Sequence, residues 1–152
     1  MKSPTCFAIS VLAVGLSVFS AGSALAAEFK NVGAAPLVMY DAPSTRGQKL
    51  FVAPRGMPVE VVINYGAWSK VRDFAGDLSW VETKQLVDRK NILVRNLNAK
   101  IYSAANESSG VVFSADKGVV LEVVDTSTPG WINVKYSDGT TGYIRSSDVW
   151  GV

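Results

Sequence analysis

Residues 40–62 read YDAPSTRGQKLFVAPRGMPVEVV, and residues 102–124 read YSAANESSGVVFSADKGVVLEVV. The two stretches align without a gap and share eight identical residues. After one additional residue in the second copy, the alignment continues through the pairs Trp68/Trp131, Val71/Val134, Gly76/Gly139 and Trp80/Tyr143. Repetition of the same features in the same order predicts two homologous units of about 60 residues each.

Both units have the pattern of β structure. Short runs rich in β-branched and aromatic residues are separated by turn residues. The runs are 50–52, 59–63 and 68–72 in the first unit and 111–113, 119–124 and 131–136 in the second. Asp138-Gly139 is a strong hairpin signal because glycine tolerates a positive φ angle, and Ala75-Gly76 is a weaker form of it. Many short strands without sustained helical periodicity predict an all-β fold of small barrels.

The first 26 residues have the three parts of a secretory signal peptide. Lys2 supplies the positive charge, residues 6–21 are uncharged and mainly apolar, and residues 24–26 form an A-x-A cleavage site. Cleavage after Ala26 is the simplest prediction, and cleavage after Ala27 is the near alternative. An uncleaved anchor is disfavoured because a spanning helix needs about 20 apolar residues. We therefore expect a periplasmic or secreted protein that is not inserted in a membrane after cleavage.

The exported chain is expected to form two barrels, 27–88 and 89–152. The connection at residues 87–91 is short. We therefore expect a fairly fixed arrangement of the two barrels rather than two barrels joined by a flexible linker. Cys6 is the single cysteine and lies in the signal peptide. Burial and sheet hydrogen bonds must therefore hold the exported fold without disulfides.

The composition excludes several functional classes. The chain has no histidine, and its one cysteine is expected to be removed. Catalytic triads built on histidine and zinc sites built on cysteine or histidine are thereby excluded. No acid pair lies in a known catalytic motif, so we expect no enzyme activity, no cofactor and no metal. The chain has 15 basic and 13 acidic residues, and Lys2 is the one basic residue that lies in the signal peptide region. Because a nucleic-acid-binding protein usually has a clear excess of basic residues, this balance argues against a nucleic-acid partner.

Ordered motifs extend through both units. The first unit contains Tyr40-Asp41-Ala42-Pro43-Ser44, Arg55-Gly56-Met57-Pro58-Val59-Glu60-Val61, Trp68-Ser69-Lys70-Val71-Arg72, and Gly76-Asp77 with Trp80-Val81. The second unit contains Tyr102, Lys117-Gly118, Leu121-Glu122-Val123, Trp131-Ile132-Asn133-Val134-Lys135, and Asp138-Gly139 with Gly142-Tyr143-Ile144-Arg145. This set resembles the bacterial SH3 domain, closest to the type found in proteobacterial envelope proteins. The common N-V-R opening is absent, and Ala105 stands where the first unit has Pro43.

The resemblance implies an SH3-like barrel in each unit and a binding function. Members of this family often bind peptidoglycan or another component of the cell envelope. We therefore predict an exported, non-catalytic binding module for such a component. The alternative is a periplasmic adaptor that recruits or regulates an envelope enzyme or assembly by binding a protein.

The candidate binding residues are aromatic and basic side chains that recur in both units, because planar rings give contact area at low entropy cost. They are Tyr40, Tyr102, Trp68, Trp131, Trp80, Tyr143, Arg72 and Lys135. Tyr40 and Tyr102 lie beside the first loop of each unit, and a role in lining a binding groove and a role in the core are equally compatible with their positions. A structural role is favoured for the Trp68 and Trp80 positions. Surface pairing is favoured for the two cations over contact with a stem-peptide carboxylate.

Four further residues complete the candidates. Trp150 has no aligned partner in the first unit, and packing on its own barrel is favoured over a place at the joint between the units. Tyr65 follows Asn64 in a turn and should be exposed. Glu60 and Glu122 recur within apolar strands and should point outward or pair locally.

Overall fold

The computed structural model describes residues 27–33, 36–88 and 90–152. The signal-peptide prediction concerns residues 1–26 and lies outside these ranges. The described chain forms two seven-stranded antiparallel sheets, which confirms the predicted all-β class and the two tandem units. No helix among the described residues is long and apolar enough to cross a membrane.

The first sheet is built from the first half of the chain, in the spatial order β3-β2-β6-β5-β4-β1-β7. Its strands are β1 (Glu28–Val32), β2 (Leu37–Tyr40), β3 (Lys49–Ala53), β4 (Pro58–Tyr65), β5 (Trp68–Arg72), β6 (Leu78–Glu82) and β7 (Leu86–Asp88). A short 3₁₀ turn, Thr83–Gln85, joins β6 to β7.

The second sheet repeats this topology, in the order β10-β9-β13-β12-β11-β8-β14. Its strands are β8 (Asn91–Val94), β9 (Ala99–Tyr102), β10 (Val111–Ala115), β11 (Val120–Asp125), β12 (Trp131–Lys135), β13 (Thr141–Arg145) and β14 (Val149–Trp150). The 3₁₀ turn Ser146–Asp148 stands where the first unit has Thr83–Gln85. The strands that match in sequence therefore take the same place in both sheets.

Each sheet encloses its own apolar core, because alternate side chains along a strand point to one face. On β5, for example, Ser69 and Val71 are buried, whereas Trp68 and Arg72 lie on the outer face. The first core consists of Val32, Leu37, Met39, Ala53, Val59, Val71 and Val81. The second core consists of Ile92, Val94, Ala99, Ile101, Ala115, Leu121, Ile132, Val134, Ile144 and Val149.

The hairpins predicted from glycine are present. Gly76 has φ +95° between β5 and β6, and Gly139 has φ +91° between β12 and β13. Asp73 Oδ1 accepts hydrogen bonds from the backbone N–H groups of Ala75 and Asp77, both at 2.9 Å. These carboxylate contacts close the first hairpin tightly, as aspartate commonly does in turns.

A buried asparagine connects the two units. The Asn31 side chain is 2% exposed, and its Oδ1 accepts hydrogen bonds from the backbone N–H groups of Lys90 (2.6 Å) and Asn91 (3.2 Å). Its Nδ2 donates to the carbonyl oxygens of Gly56 (3.2 Å) and Asn91 (3.3 Å). The amide is thus satisfied at both ends, and it fixes the start of β8 against β1.

Trp150 also lies at this joint, so the favoured prediction that it packs on its own barrel was wrong for the ring. Its strand pairs with β8, but its indole meets Phe29 edge-to-face at 5.0 Å and Phe74 at 6.1 Å between centroids. Both phenylalanines belong to the first unit, and aromatic pairs of this kind contribute about 0.5–1.5 kcal/mol beyond their buried area, which favours this placement of the indole. The place of Trp150 in β14 corresponds to that of Val87 in β7.

Candidate ligand-binding site

The same aromatic pair occurs in both units. Tyr40 ends β2 and meets Trp68, the first residue of β5, edge-to-face at 5.6 Å and 85°. In the second unit, Tyr102 meets Trp131 at 5.6 Å and 88°. The sheet topology brings them together because β2 and β9 pair with β6 and β13, the neighbours of the tryptophan strands.

Burial separates the roles of the two rings in the first unit. Tyr40 is only 9% exposed, whereas Trp68, Trp131 and Tyr102 are half-buried. Edge-to-face pairs contribute about 0.5–1.5 kcal/mol beyond their buried area. In the first unit the buried tyrosine therefore supports the half-open tryptophan, whereas in the second unit both rings are partly open to solvent.

In the first unit the aromatic surface continues beyond this pair. Tyr40 is the backbone partner of Trp80. Tyr65 is 66% exposed, as expected for its place beside the turn, and its ring meets Trp80 at 6.4 Å. The Lys70 ammonium lies 5.8 Å from the centroid of the Trp80 ring. We refer to Tyr40, Tyr65, Trp68 and Trp80 as the first aromatic surface.

The second aromatic surface consists of Tyr102, Trp131 and Tyr143. Tyr102 and Tyr143 are backbone partners, so the repeat places them as it places Tyr40 and Trp80. The Arg145 guanidinium lies 5.6 Å from the centroid of the Trp131 ring and forms an ion pair with Glu107.

Sequence reasoning missed the cation at this second surface. Arg145 lies directly across from Trp131 on the neighbouring strand, and Glu82 holds the corresponding place across from Trp68. The Asp-Gly hairpin fixes the register of the two strands that it joins, and this register could have identified Arg145 as the residue opposite Trp131. The two surfaces therefore share their rings and differ in charge.

The remaining candidates lie in matched cross-strand ion pairs. Arg72 Nη1 is 2.8 Å from Glu60 Oε2, and Lys135 Nζ is 2.9 Å from Glu122 Oε2. This is the local pairing expected from the recurrence of the two glutamates. Both cations are thereby engaged within the sheet and apart from the Tyr–Trp pairs.

Half-exposed indole and phenol rings beside an amine or guanidinium can bind flat or apolar groups and orient a carboxylate. Among the described residues, no group of three or more Asp, Glu, Cys or His side chains is placed to hold a metal ion. The arrangement is suited to recognition of a ligand by contact.

Two family models match the chain, and both carry the description "Bacterial SH3 domain". One covers residues 33–88 and the other covers residues 97–149. Together the matches span most of the described chain, one in each sheet. No curated protein matches the chain in sequence.

Several solved structures are similar to it. NlpC2 of Trichomonas vaginalis is 12% identical with a TM-score of 0.37, and the match covers 82% of this chain and 48% of that one. NlpC1 of the same organism is 16% identical with a TM-score of 0.36, covering 89% and 50%. An NlpC/P60 family protein from Bacillus cereus is 15% identical with a TM-score of 0.39, covering 81% and 56%. The chain thus spans about half the length of these structures.

Proposed function

The chain belongs to the bacterial SH3 domain family, of which it carries two copies in tandem, and from this premise we propose that it binds peptidoglycan. Bacterial SH3 domains are typically non-catalytic binding modules. In the proposal, the signal peptide delivers the chain to the periplasm or the outside of the cell. There the two aromatic surfaces contact the wall polymer.

One observation carries the proposal: the Tyr–Trp pair recurs in both units with the same geometry. The ring centroids are 5.6 Å apart in each, and the indole remains partly open to solvent. Core packing alone requires no exposed indole face. A repeated, half-open ring pair is what a small barrel needs to hold a ligand in a shallow groove.

The chemistry of the surfaces suits this polymer. Peptidoglycan combines sugar rings, whose C–H faces stack on indole, with short peptides that carry free carboxylates. Lys70 lies beside Trp80 and Arg145 lies beside Trp131, so each surface has a cation where a carboxylate could be held. Exposed cation contacts of this kind are worth about 0.5–1 kcal/mol each, so the rings must supply most of the affinity.

Two sites in one chain also suit a repetitive polymer. Once one surface is bound, the second meets the same wall at a high effective concentration. Retention on insoluble wall should therefore exceed the affinity of either surface for a soluble fragment, without any additional contact.

Co-sedimentation of the exported chain with purified sacculi, at low and moderate salt, tests the proposal. We expect saturable pelleting that survives moderate salt. Tyr65→Ala with Arg145→Ala should reduce pelleting severalfold, since each removes exposed contact area from one surface. The matched control is Tyr136→Ala, an exposed tyrosine outside both surfaces.

Pelleting no greater than that of an unrelated protein would contradict the proposal, as would an equal loss with Tyr136→Ala. In the first case, the adaptor function becomes the better account. Crosslinking in intact envelopes would then be used to identify the protein partner.

A further inference from the structure

The terminal strands of the two sheets expose apolar side chains. Leu50, Phe51 and Val52 are each about half exposed on β3, and Val111 and Val112 are similarly exposed on β10. Each of these strands is hydrogen-bonded to one neighbour and ends its sheet. An exposed apolar edge strand invites pairing with another chain, and proteins usually blunt it with charges. Three consecutive apolar residues at such an edge therefore point to a partner.

A groove lies beside the edge strand of the first unit. It has a volume of about 640 Å³ and opens between β3 and the hairpin that joins β5 to β6. The buried residues Met39 and Ser79 line it together with Phe51, Phe74 and Leu78. A groove of this size can take several side chains of an extended segment.

The second unit has a groove at the same topological place. Its volume is about 530 Å³, and it lies between β10 and the hairpin that joins β12 to β13. Val112, Phe113 and Val119 line it at the positions that Leu50, Phe51 and Met57 occupy in the first groove. The repeat therefore preserves a cavity as well as the strands around it.

Both grooves carry two carboxylates. Asp73 and Asp77 line the first, and Asp116 and Asp138 line the second. Among the described residues, none of the four forms an ion pair with a lysine or arginine. The hydrogen bond from the Thr140 backbone N–H lowers the pKa of Asp138, and so favours the charged form that this carboxyl already has at neutral pH. Each groove thus combines apolar side chains with two carboxylates, and in the first groove the Lys117 ammonium lies 5.2 Å from the ring centroid of the lining residue Phe74.

We propose that the two grooves bind extended, cationic peptide segments of a protein partner. Each segment adds a strand to β3 or β10, places apolar side chains in the groove and sets lysine or arginine beside the aspartates. Alternate side chains of a strand point to one side, so a segment that alternates apolar and basic residues fits both features. A second copy meeting groove to groove would bring four carboxylates together, which disfavours self-association. The aromatic surfaces lie elsewhere, so this inference does not rest on wall binding.

A labelled nonapeptide of alternating lysine and valine is the probe, and fluorescence anisotropy with the exported chain is the readout. We expect saturable binding. Two control peptides should bind at least about tenfold more weakly, a difference that anisotropy resolves easily. One has glutamate in place of lysine, and the other is N-methylated at alternate backbone nitrogens so that it cannot pair with an edge. Equal binding of either control would overturn the proposal.

Substitutions locate the site. Phe51→Ser combined with Val112→Ser, and separately Asp77→Lys combined with Asp138→Lys, should weaken binding at least about tenfold, because each pair changes both grooves, by removing apolar contact or by reversing a charge. The substituted side chains are exposed or lie in a turn, so folding should persist, as circular dichroism can verify. The matched control is Leu97→Ser, which changes a 78% exposed leucine that lines neither groove.

Three results would count against the proposal. Wild-type affinity in both groove variants would overturn it. A wild-type dimer that Phe51→Ser converts to a monomer would show that the edge pairs with a second copy instead. A loss of peptide binding in Leu97→Ser equal to that in the groove variants would show a nonspecific effect. The groove variants should pellet with sacculi as the wild type does, which separates this test from that of wall binding.

Discussion

Gly142 and Ser79 occupy the same place in the two units. The neighbouring side chains explain why this place holds glycine in the second unit and serine in the first. A Cβ atom added to Gly142 would meet Cγ2 of Ile101 and lie 2.8 Å from the backbone oxygen of Tyr102. The first unit has Met39 at the position of Ile101, and both Met39 and Ser79 are buried there. An unbranched methionine can bend away from a neighbouring side chain, whereas a β-branched isoleucine cannot.

Gly142→Ala should therefore lower the free energy of unfolding by about 1–3 kcal/mol, the usual effect of overpacking a core. Ser79→Ala is the matched control and should change it by less than about 1 kcal/mol, because the position already holds a side chain of that size. Urea denaturation of the two variants measures the difference. Equal destabilisation by the two substitutions would show that the contact with Ile101 is not the reason why position 142 holds glycine.

Hydrogen bonds shift the pKa values of two exposed carboxyl groups. The Ser127 side chain lowers the pKa of Asp125, and the Thr140 backbone N–H lowers that of Asp138, both from an ordinary 3.8. As the pH falls, these groups take up protons in the unfolded chain before they do so in the folded one. Their contribution to stability is present above about pH 3.8 and is lost as the pH falls through their folded-state pKa values.

Lys30 behaves in the opposite sense, because its hydrogen bond to Asp88 raises its pKa above 10.5. The contribution of Lys30 to folding stability is present below about pH 10.5 and is lost as the pH rises through the pKa of Lys30 in the folded state. The chain has no histidine. We therefore predict a free energy of unfolding that is nearly flat from about pH 5 to 9, measured by urea denaturation across buffers. A step between pH 6 and 7 would contradict this prediction.

At the scale of strands, the repeat made the central part of each barrel predictable. The β-rich runs, the glycine hairpins and the Glu–cation pairs recur at fixed spacing, so one copy supports the interpretation of the other. Strands β1, β2 and β7 and their counterparts β8, β9 and β14 were not predicted. Residues 28–32 mix charged and polar side chains with two apolar ones, and their strand character comes from pairing with β4 and β7.

The joint could not be predicted because it is where the copies differ. Asn31 holds the place that Leu93 has in the second unit, and Trp150 holds the place of Val87. When the same position is polar in one copy and apolar in the other, the surface around it contacts a different neighbour in each copy. Which neighbour it meets depends on how the units pack, and local periodicity carries no information about that. The rings of the aromatic surfaces were identified because they recur in both units, but which of their faces stay open depends on how the strands pack.

Asn31→Ala should destabilise the connection between β1 and β8. It leaves the N–H groups of Lys90 and Asn91 without their acceptor at a part-buried site, and leaving a buried group unsatisfied costs about 1–3 kcal/mol. Asn96→Ala is the control, because Asn96 donates a comparable hydrogen bond to Asp148 at an exposed site. Urea denaturation should show a loss of more than about 1 kcal/mol for the first variant and less for the second. Equal losses would contradict the structural role given to Asn31.

For the whole molecule, contacts across the joint should make the two barrels unfold together. The Asn31 hydrogen bonds and the Trp150 ring contacts both cross it, and the Lys117 ammonium lies 5.2 Å from the centroid of the Phe74 ring. We predict a single urea transition, with coincident curves from tryptophan fluorescence and circular dichroism.

Trp150→Ala should split this transition in two, because it removes the indole that contacts both Phe29 and Phe74 across the joint. Tyr136→Ala, which alters an exposed ring away from the joint, should leave one transition. Two transitions in the wild type, or one unsplit transition in Trp150→Ala, would show that the joint contributes little to cooperativity.

The most direct test of wall recognition uses the four tryptophans as separate reporters. Their indole N–H resonances can be followed in ¹⁵N-labelled protein during titration with soluble muropeptides released from sacculi. Trp68, Trp80 and Trp131 should shift together and saturate, whereas Trp150, enclosed by rings at the joint, should stay in place. If the three surface indoles do not move, or if Trp150 alone does, the aromatic surfaces are not the site of wall binding.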